Sequence, residues 1–455
     1  MTRSATKQRY GFIKDAACSH DQRLEYDALT ASPPEPQQQT EWPITTAADH
    51  GPPVDTAEPR IAIYGAEFAA DPHAAYRKMR KHGPVAAVDI APAVPATLVT
   101  DYREALRILN DPRYSADPRG WQQRVPPECP ALPTLGWRPD ALRSSGEDHS
   151  RLRRAISAAL DRVDQYGLDF TVAHITTALI NGFCEYGYVD LLDDFAIPLV
   201  GQTLNWLLGL SPETGQAALD AIMVLRAATD SETVKAGNQQ LITAMADAVM
   251  AKRLHPAADV TSWLIGPPDG LNDAKATYQL AMLYATGSQP TWNLIANILR
   301  LMLTDDEFGG RLLYGALSVT DAIDEVLFTD PPLATMSPRF PQQMQILDTT
   351  MLPPHQPVLI SVSGCNTDPA VHSDDHLGNR SHLAWGAGIH ACPARSLATV
   401  IATKSLTLLL DALTEIQLAV PDGAGLAWLP GPFHRALTAL PVTFSPCPPL
   451  ELPLA

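Results

Sequence analysis

One segment combines a cysteine, two glycines and a helix start in a pattern suited to chemistry. It reads His382-Leu383-Ala384-Trp385-Gly386-Ala387-Gly388-Ile389-His390-Ala391-Cys392-Pro393-Ala394-Arg395. Gly386 and Gly388 permit a tight turn and a close approach of the backbone to a flat ligand. Pro393 suits the first position of a helix, which places Cys392 at a helix N-terminus, where free N–H groups stabilise a thiolate. A thiolate held in such a loop is a suitable axial ligand for haem iron.

The cysteine content limits the alternatives for this residue. The six cysteines are widely spaced and form no CxxC pair; they are Cys18, Cys129, Cys184, Cys365, Cys392 and Cys447. This spacing excludes a disulfide scaffold and a structural zinc module, and it suits a reducing compartment. The alternative for an isolated Cys392 is a small buried residue in a loop-to-helix turn.

The segment resembles the haem-binding signature of the cytochrome P450 family, which runs aromatic-Gly-x-Gly-x-His/Arg-x-Cys-x-Gly. The matching residues are Trp385, Gly386, Gly388, His390 and Cys392. Ala394 replaces the last glycine, and Trp385 stands for the commoner phenylalanine. The resemblance extends over residues 62–445 and implies a mainly α fold with small β-sheets (α+β) in one large domain. It also implies haem b, with Cys392 as its axial ligand and only metal ligand.

Further matches concern the haem propionates. His149 and Arg153 lie four residues apart on a predicted helix, so they share one face and together suit a carboxylate. They resemble the family's His-x-x-x-Arg helix, which implies that they bind a propionate. The resemblance assigns Arg339 and His390 to the same shell. The alternative for the helix pair is an exposed basic face.

One departure from the family concerns a charge network. Its Glu-x-x-Arg motif falls at residues 325–328, where Glu325 is present but Phe328 stands in place of the arginine. A buried carboxylate without its charge partner is destabilising. Arg380 is a candidate substitute partner for Glu325; solvation of Glu325 is the alternative.

The second departure lies in the predicted oxygen-binding helix, residues 278–302. The family's Ala-Gly-x-acid-Thr-Thr signature aligns with Thr286, Gly287, Ser288, Gln289, Pro290 and Thr291. Gln289 therefore replaces the acid and Pro290 the alcohol that together deliver protons for cleavage of the O–O bond. Neither can donate a proton by ionising. Candidate replacements for the missing proton donor are Thr291, Ser288 and ordered water. The alternative is that the Gln289-Pro290 pair shapes a substrate pocket.

The remaining elements are predicted from periodicity and punctuation. Residues 1–60 are rich in proline and predict a poorly ordered tail, followed by one domain over residues 61–455. The first predicted elements are a helix through Arg80, strands at 85–90 and 96–100, and a helix after Asp101. A long loop at 111–141 precedes a helical region up to residue 328. The last predicted elements are strands at 343–347 and 358–362, a helix at 392–413 and a hairpin at 432–444.

Composition and charge exclude several classes of protein. The 33 Lys and Arg against 50 Asp and Glu give a net charge of −17, which disfavours contact with nucleic acid or anionic membranes. No segment predicts a signal peptide or a membrane-spanning helix. We therefore expect a cytoplasmic protein, and the resemblance to soluble P450s implies a bacterial protein that is a monomer. The resemblance implies a ferredoxin and ferredoxin reductase as electron donors, with Arg395 and Lys404 near the docking face.

Three functions fit these observations. The first is a monooxygenase that inserts one oxygen atom of O2 into a small organic, secondary-metabolite-like substrate with electrons from a redox partner. The second is a haem-thiolate enzyme of altered chemistry, such as peroxide-driven oxidation or oxidative coupling. The third is a non-catalytic protein that binds haem or another ligand.

Overall fold

The computed structural model describes residues 60–267, 270–347, 350–371, 378–420 and 425–453. The predicted N-terminal tail, apart from Arg60, lies outside the described residues. From Arg60 onward the chain forms one compact unit that is mainly α-helical with small β-sheets, as predicted. No helix within the described ranges is long and apolar enough to cross a membrane.

Sixteen α-helices occur in the described part of the chain. They are α1 (Ala66–Ala70), α2 (Pro72–Arg80), α3 (Tyr102–Asn110), α4 (Arg119–Gln122), α5 (Leu132–Leu135), α6 (Gly146–Leu160), α7 (Gln165–Asn181), α8 (Ile197–Leu208), α9 (Pro212–Ala227), α10 (Ser231–Leu254), α11 (Val260–Ile265), α12 (Asp273–Thr304), α13 (Asp306–Leu313), α14 (Val319–Thr329), α15 (Val362–Asn366) and α16 (Arg395–Ala412). The α-helices are supplemented by short 3-10 turns at Ala141–Arg143, Leu383–Trp385 and Gly388–His390, and by a π-helical turn at Leu191–Ala196.

The strands form four small sheets. They are β1 (Ile61–Ala62), β2 (Val85–Ala91), β3 (Val94–Val99), β4 (Tyr114–Ser115), β5 (Tyr188–Asp190), β6 (Phe340–Pro341), β7 (Gln345–Leu347), β8 (Thr350–Leu352), β9 (Val358–Ile360), β10 (Thr414–Leu418) and β11 (Pro441–Ser445). The largest sheet has the order β1-β2-β3-β9, with β2 and β3 antiparallel and both outer pairs parallel. A second sheet has the order β10-β11-β5.

Side-chain caps fix where many of the helices begin. Asp71 accepts a hydrogen bond from the Ala74 backbone N–H at 2.9 Å, and Asp101 accepts one from the Glu104 N–H at 2.8 Å. Such caps satisfy N–H groups that have no partner within the helix. Helices α2 and α3 therefore start at the residues that the sequence predicts. The long 111–141 loop is also confirmed, with only short elements in it.

Helix α12 is the centre of the core. It runs uninterrupted through Pro290, and its large side chains Tyr284 and Trp292 are fully buried. Helices α8, α10, α14 and α16 pack around it. This confirms the prediction of a long apolar helix over residues 278–302. Strand β5 interrupts the region that the sequence predicts as helical, because its three residues pair with β11 far along the chain.

Candidate active site

The glycine loop that carries Cys392 is closed by backbone hydrogen bonds. The Cys392 N–H donates to the Trp385 carbonyl at 2.7 Å. Gly386 and Gly388 have φ values of 71° and 68°, a region that side-chain-bearing residues rarely adopt. A Cβ atom on Gly388 would also collide with the carbonyl oxygen of Leu109 in α3. Both glycines are therefore required by the conformation of the loop.

The predicted helix start at Pro393 is wrong. Helix α16 begins at Arg395, and Ala394 before it has φ −104° and ψ 17°. Because Ala394 is not helical, Cys392 lies three residues before the helix, and its N–H is bound within the loop to the Trp385 carbonyl. The backbone N–H of Ala394 still donates to the thiol.

The Cys392 thiol combines an accessible residue with a surrounding of protein atoms. The residue is accessible to solvent, yet burial among protein atoms raises the pKa of its thiol. The Ala394 N–H, Arg153 and Arg395 act in the opposite direction but are outweighed. Coordination to a metal deprotonates a thiol directly and so opposes this effect of burial.

The structure brings the four predicted propionate residues together beside this loop. The rings of His149 and His390 lie 4.0 Å apart between centroids, tilted by 39°. Arg153 donates to the carbonyl of Ala391, the residue before the cysteine. Arg339 is buried and lies near enough to affect both histidines.

The electrostatics of this basic cluster indicate a missing anionic partner. Burial, followed by Arg339, His149 and Arg153, lowers the pKa of His390 to about 2. Burial lowers the pKa of Arg339 to about 10. Nε2 of His149 is buried without a hydrogen-bond partner, and among the described residues none of the four basic groups pairs with an acid. A cationic cluster without acids fits the two carboxylates of haem b, with the Cys392 sulfur next to it.

Arg380, which the sequence offers as one candidate partner for Glu325, pairs with Asp324. Nε of Arg380 donates to Oδ2 of Asp324 at 3.0 Å, and Nε2 of His382 lies 3.5 Å from Oδ1. Asp324 is 5% exposed. Burial raises the pKa of this carboxyl, but His382 and Arg380 outweigh the effect, so the pKa lies below its ordinary value. The acid on α14 thus holds the segment leading into the cysteine loop.

Phe328 takes the place of the family's arginine within an apolar contact. Its ring is buried and packs edge-on against His382, with centroids 5.2 Å apart. A second ion cluster follows α14: Asp330 accepts from Arg300 at 2.9 Å and from Arg435 at 2.8 Å. The sequence pattern does not indicate this cluster, since its members are far apart along the chain.

The six residues of the altered signature lie on α12 as predicted, but they do not form a relay with one another. The hydroxyl of Thr286 donates to the Met282 carbonyl at 2.7 Å, and that of Ser288 donates to the Ala285 carbonyl at 3.2 Å. Gly287 faces α8, since a Cβ there would lie 3.2 Å from Leu204. Gln289, Pro290 and Thr291 make no side-chain hydrogen bond within the described residues.

Asn293 is a polar residue of this helix that sequence reasoning did not assign a role. It is 1% exposed, and neither Nδ2 nor Oδ1 has a hydrogen-bond partner. At 100° per residue, Asn293 lies on the same helix face as Gln289 and Thr286, away from the Gly287 contact with α8. A buried amide without partners is unfavourable unless water or a ligand binds to it.

A surface cleft lies beside Trp385, on the side of the loop reached from α14 and α16. Its volume is about 300 Å³, and its lining includes Ile323, Asp324, Arg380, Trp385, Arg395 and Ser396. We refer to it as the Trp385 cleft. Lys404, expected at the same docking face, instead pairs with Asp169 of α7 at 2.9 Å.

Comparison with known proteins agrees with this geometry, although no protein-family model matches the chain. The cytochrome P450 monooxygenase PikC of Streptomyces venezuelae is 29% identical over 408 residues, which cover 85% of this chain and 95% of PikC. The 2-hydroxy-5-methyl-1-naphthoate 7-hydroxylase of Streptomyces carzinostaticus is 27% identical, with coverage of 77% and 90%. The structure of CYP154C4 from Streptomyces sp. W2061 is similar with a TM-score of 0.77 and 26% identity, covering 85% of this chain and 98% of that one.

The fold, the cysteine loop and these relatives define a haem-thiolate protein of the bacterial type. The chain belongs to the cytochrome P450 family and is an enzyme of the P450 monooxygenase class.

Proposed function

We propose that this enzyme inserts one oxygen atom of O2 into a small organic molecule, with electrons from a ferredoxin-type donor. Haem b would be held by Cys392 through iron and by His149, Arg153, Arg339 and His390 through its propionates. When bound, the haem iron activates dioxygen for transfer to the substrate. The transfer consumes two electrons and two protons and releases the second oxygen atom as water.

The observation that carries the proposal is the basic cluster beside the cysteine loop. Four cationic or potentially cationic side chains converge near one accessible thiol without an acid among them. A dianionic ligand with a central metal satisfies both requirements. Burying this cluster without such a ligand would be unfavourable.

The substrate class is proposed from the relatives. The 2-hydroxy-5-methyl-1-naphthoate 7-hydroxylase is named for an aromatic acid, and PikC is named as a monooxygenase. The helix face with Thr286, Gln289 and Asn293 belongs to a helix whose buried side chains are mostly apolar. A small, largely apolar metabolite with few polar groups suits such a surface.

The Trp385 cleft is the candidate docking site for the electron donor. Arg380 and Arg395 line it directly beside the cysteine loop. Ferredoxins are commonly acidic, and a chain of net charge −17 needs a local basic surface to bind one. Because Lys404 is paired with Asp169 and Arg380 with Asp324, Arg395 would provide most of the attraction.

The test is product formation by the haem-loaded full chain under two conditions. One reaction contains NADPH, a ferredoxin and a ferredoxin reductase in ¹⁸O2, and the other contains hydrogen peroxide without reductants. We expect product carrying one ¹⁸O atom in the first reaction, and loss of it in Cys392→Ala. Product that forms only with peroxide would refute the proposal.

The Gln289-Pro290 pair favours a second candidate, peroxide-driven oxidation or oxidative coupling. The side chains at these positions cannot deliver protons by ionising, and the nearby hydroxyls of Thr286 and Ser288 donate to carbonyls of the same helix. Hydrogen peroxide equals O2 with two electrons and two protons added, so it replaces both the electrons of the redox partner and the two protons that the relay would otherwise help to deliver. The same pair of reactions separates this candidate from the first.

A further inference from the structure

A small recess lies where the 138–143 segment meets α10 and α12. Its volume is about 60 Å³, and its lining includes Arg138, Asp140, Leu142, Asn238, Tyr278 and Thr286. This volume is the space open to the centre of a water molecule, of which about 10–15 Å³ is enough to hold one water, so the recess has room for several waters or one planar polar group. Thr286 belongs to the altered signature of α12. We call this cavity the Arg138 recess.

The wall of the Arg138 recess is fixed by buried hydrogen bonds. The fully buried Gln279 of α12 accepts from the Ala141 N–H at 3.1 Å and donates to the Pro139 carbonyl at 2.9 Å. Asn238 of α10 donates to the Pro133 carbonyl at 2.9 Å. The loop is thus tied to both helices, and the recess is preformed rather than created by loop movement.

The charge of Arg138 is not balanced within the recess. Asp140 is already bound by Arg143, whose Nη1 lies 2.8 Å from Oδ2. Arg138 makes no salt bridge within the described ranges, and its only hydrogen bond goes to the Pro133 carbonyl at 2.6 Å. Burial, and then Arg143, lower the pKa of Arg138 to about 10, so it still carries its charge at neutral pH. Two arginines and one aspartate leave the lining with one net positive charge.

We propose that the Arg138 recess binds a carboxylate of the substrate and that Arg138 is its partner, which makes small apolar carboxylic acids the preferred substrate class. A guanidinium forms paired, charge-assisted hydrogen bonds with a carboxylate, and partial burial strengthens them. The inference rests on the proposed monooxygenase function. It adds a specificity-determining residue that the sequence motifs do not include.

The position of the recess suits the attachment of a substrate at one end. Thr286, in the lining, precedes Pro290 by four residues, or about 6 Å along the helix axis. Gln289 and Asn293 follow on the same helix face. An acid anchored by Arg138 would therefore extend its apolar part along α12, past the residues that replace the family's relay.

The test compares acids with their uncharged amides on the haem-loaded full chain. Calorimetry would measure the Kd of 1-naphthoate, decanoate and 4-phenylbutyrate, each beside its primary amide. A charge-assisted hydrogen bond predicts that the acids bind about 10- to 100-fold more tightly. Arg138→Gln should remove this preference, and Arg138→Lys should retain part of it. Arg151→Gln, which removes an exposed arginine of α6, should leave the preference unchanged.

Equal binding of acids and amides by the unaltered enzyme would overturn the inference, as would no binding of any acid. A preference that survives in Arg138→Gln would overturn it as well. Tight binding of acids that Arg138→Gln abolishes supports the inference even if no oxygenated product forms. That last result would count against the monooxygenase proposal alone, so the two proposals fail separately.

Discussion

The carboxylate of Asp324 accepts a 3.0 Å hydrogen bond from Nε of Arg380. A buried acid on α14 is thereby joined to the segment that enters the cysteine loop. The family's motif places the acid of this network one position later, at Glu325, and its arginine at Phe328. In this chain Asp324 pairs with Arg380 instead, and the ring of Phe328 packs against His382.

The Asp324–Arg380 pair should contribute measurably to stability. Arg380 is 57% exposed at its side chain, which screens the interaction, so we expect a coupling free energy of about 1 kcal/mol. A double-mutant cycle with Asp324→Asn and Arg380→Gln, followed by urea unfolding, measures it. The exposed Glu104–Arg107 pair of α3 is the control and should give about 0.3–0.5 kcal/mol. A coupling no larger than in the control would argue against a bracing role.

The same carboxyl predicts a pH dependence. The pKa of Asp324 is lower in the folded protein than its ordinary value of 3.8. Its contribution to stability is therefore complete above about pH 4 and is lost as the pH falls through the folded pKa. The difference in unfolding free energy between the unaltered protein and Asp324→Asn should shrink on acidification. A difference that grows with acidification would reverse the assigned direction of the pKa shift.

Asp330 should be more sensitive to substitution than a surface acid. It accepts hydrogen bonds from Arg300 and Arg435, and the Arg435 guanidinium also lies 3.3 Å from the ring centroid of Trp428. Asp330→Asn would leave two largely buried guanidinium groups without their anion, so we expect a loss of about 3–5 kcal/mol. Glu232→Gln, which breaks an exposed pair with Lys235, should lose about 1 kcal/mol or less. Similar losses in both variants would contradict this assignment.

Asn293 and Asn297 allow a matched comparison on one helix. Asn297 Nδ2 donates to the carbonyls of Asp330 and Arg435, whereas the Asn293 amide has no partner. Asn297→Leu should destabilise the protein by about 1–3 kcal/mol, since it leaves buried acceptors unpaired. Asn293→Leu should leave stability unchanged or raised, but should lower the fraction of consumed NADPH that appears as product. Unchanged coupling would exclude a role for Asn293 in oxygen chemistry.

Local sequence signals account for the parts of the structure that were predicted correctly. Capping by Asp71 and Asp101 fixes two helix starts, and the glycines of the cysteine loop specify its turn. These features depend on residues close together in the chain. Helix α16 starts later than the sequence predicts because Ala394 has the non-helical φ of −104° and ψ of 17°, a backbone conformation that the residue types around Pro393 do not specify.

Other site features depend on distant packing and could not be predicted. The sequence offers Arg380 as one candidate partner for Glu325, and only the rotation of α14 shows that Asp324 is its partner. That the Asn293 amide has no hydrogen-bond partner, and that Arg138 bonds to the Pro133 carbonyl and not to an acid, likewise appears only when neighbouring elements are in place. A family resemblance cannot supply these residues, since they lie outside its motifs.

The central claim is that Cys392 and the adjacent basic cluster hold haem b through a thiolate. The most direct test is the CO-difference spectrum of the reduced, haem-loaded chain beside Cys392→Ala and Arg339→Leu. We expect a Soret band at the position typical of thiolate-ligated haem iron in the unaltered protein and none in Cys392→Ala. Arg339→Leu should keep the band position but retain less haem, because it loses a propionate partner. A thiolate-type band that persists in Cys392→Ala, or its absence in the unaltered protein, would contradict the account.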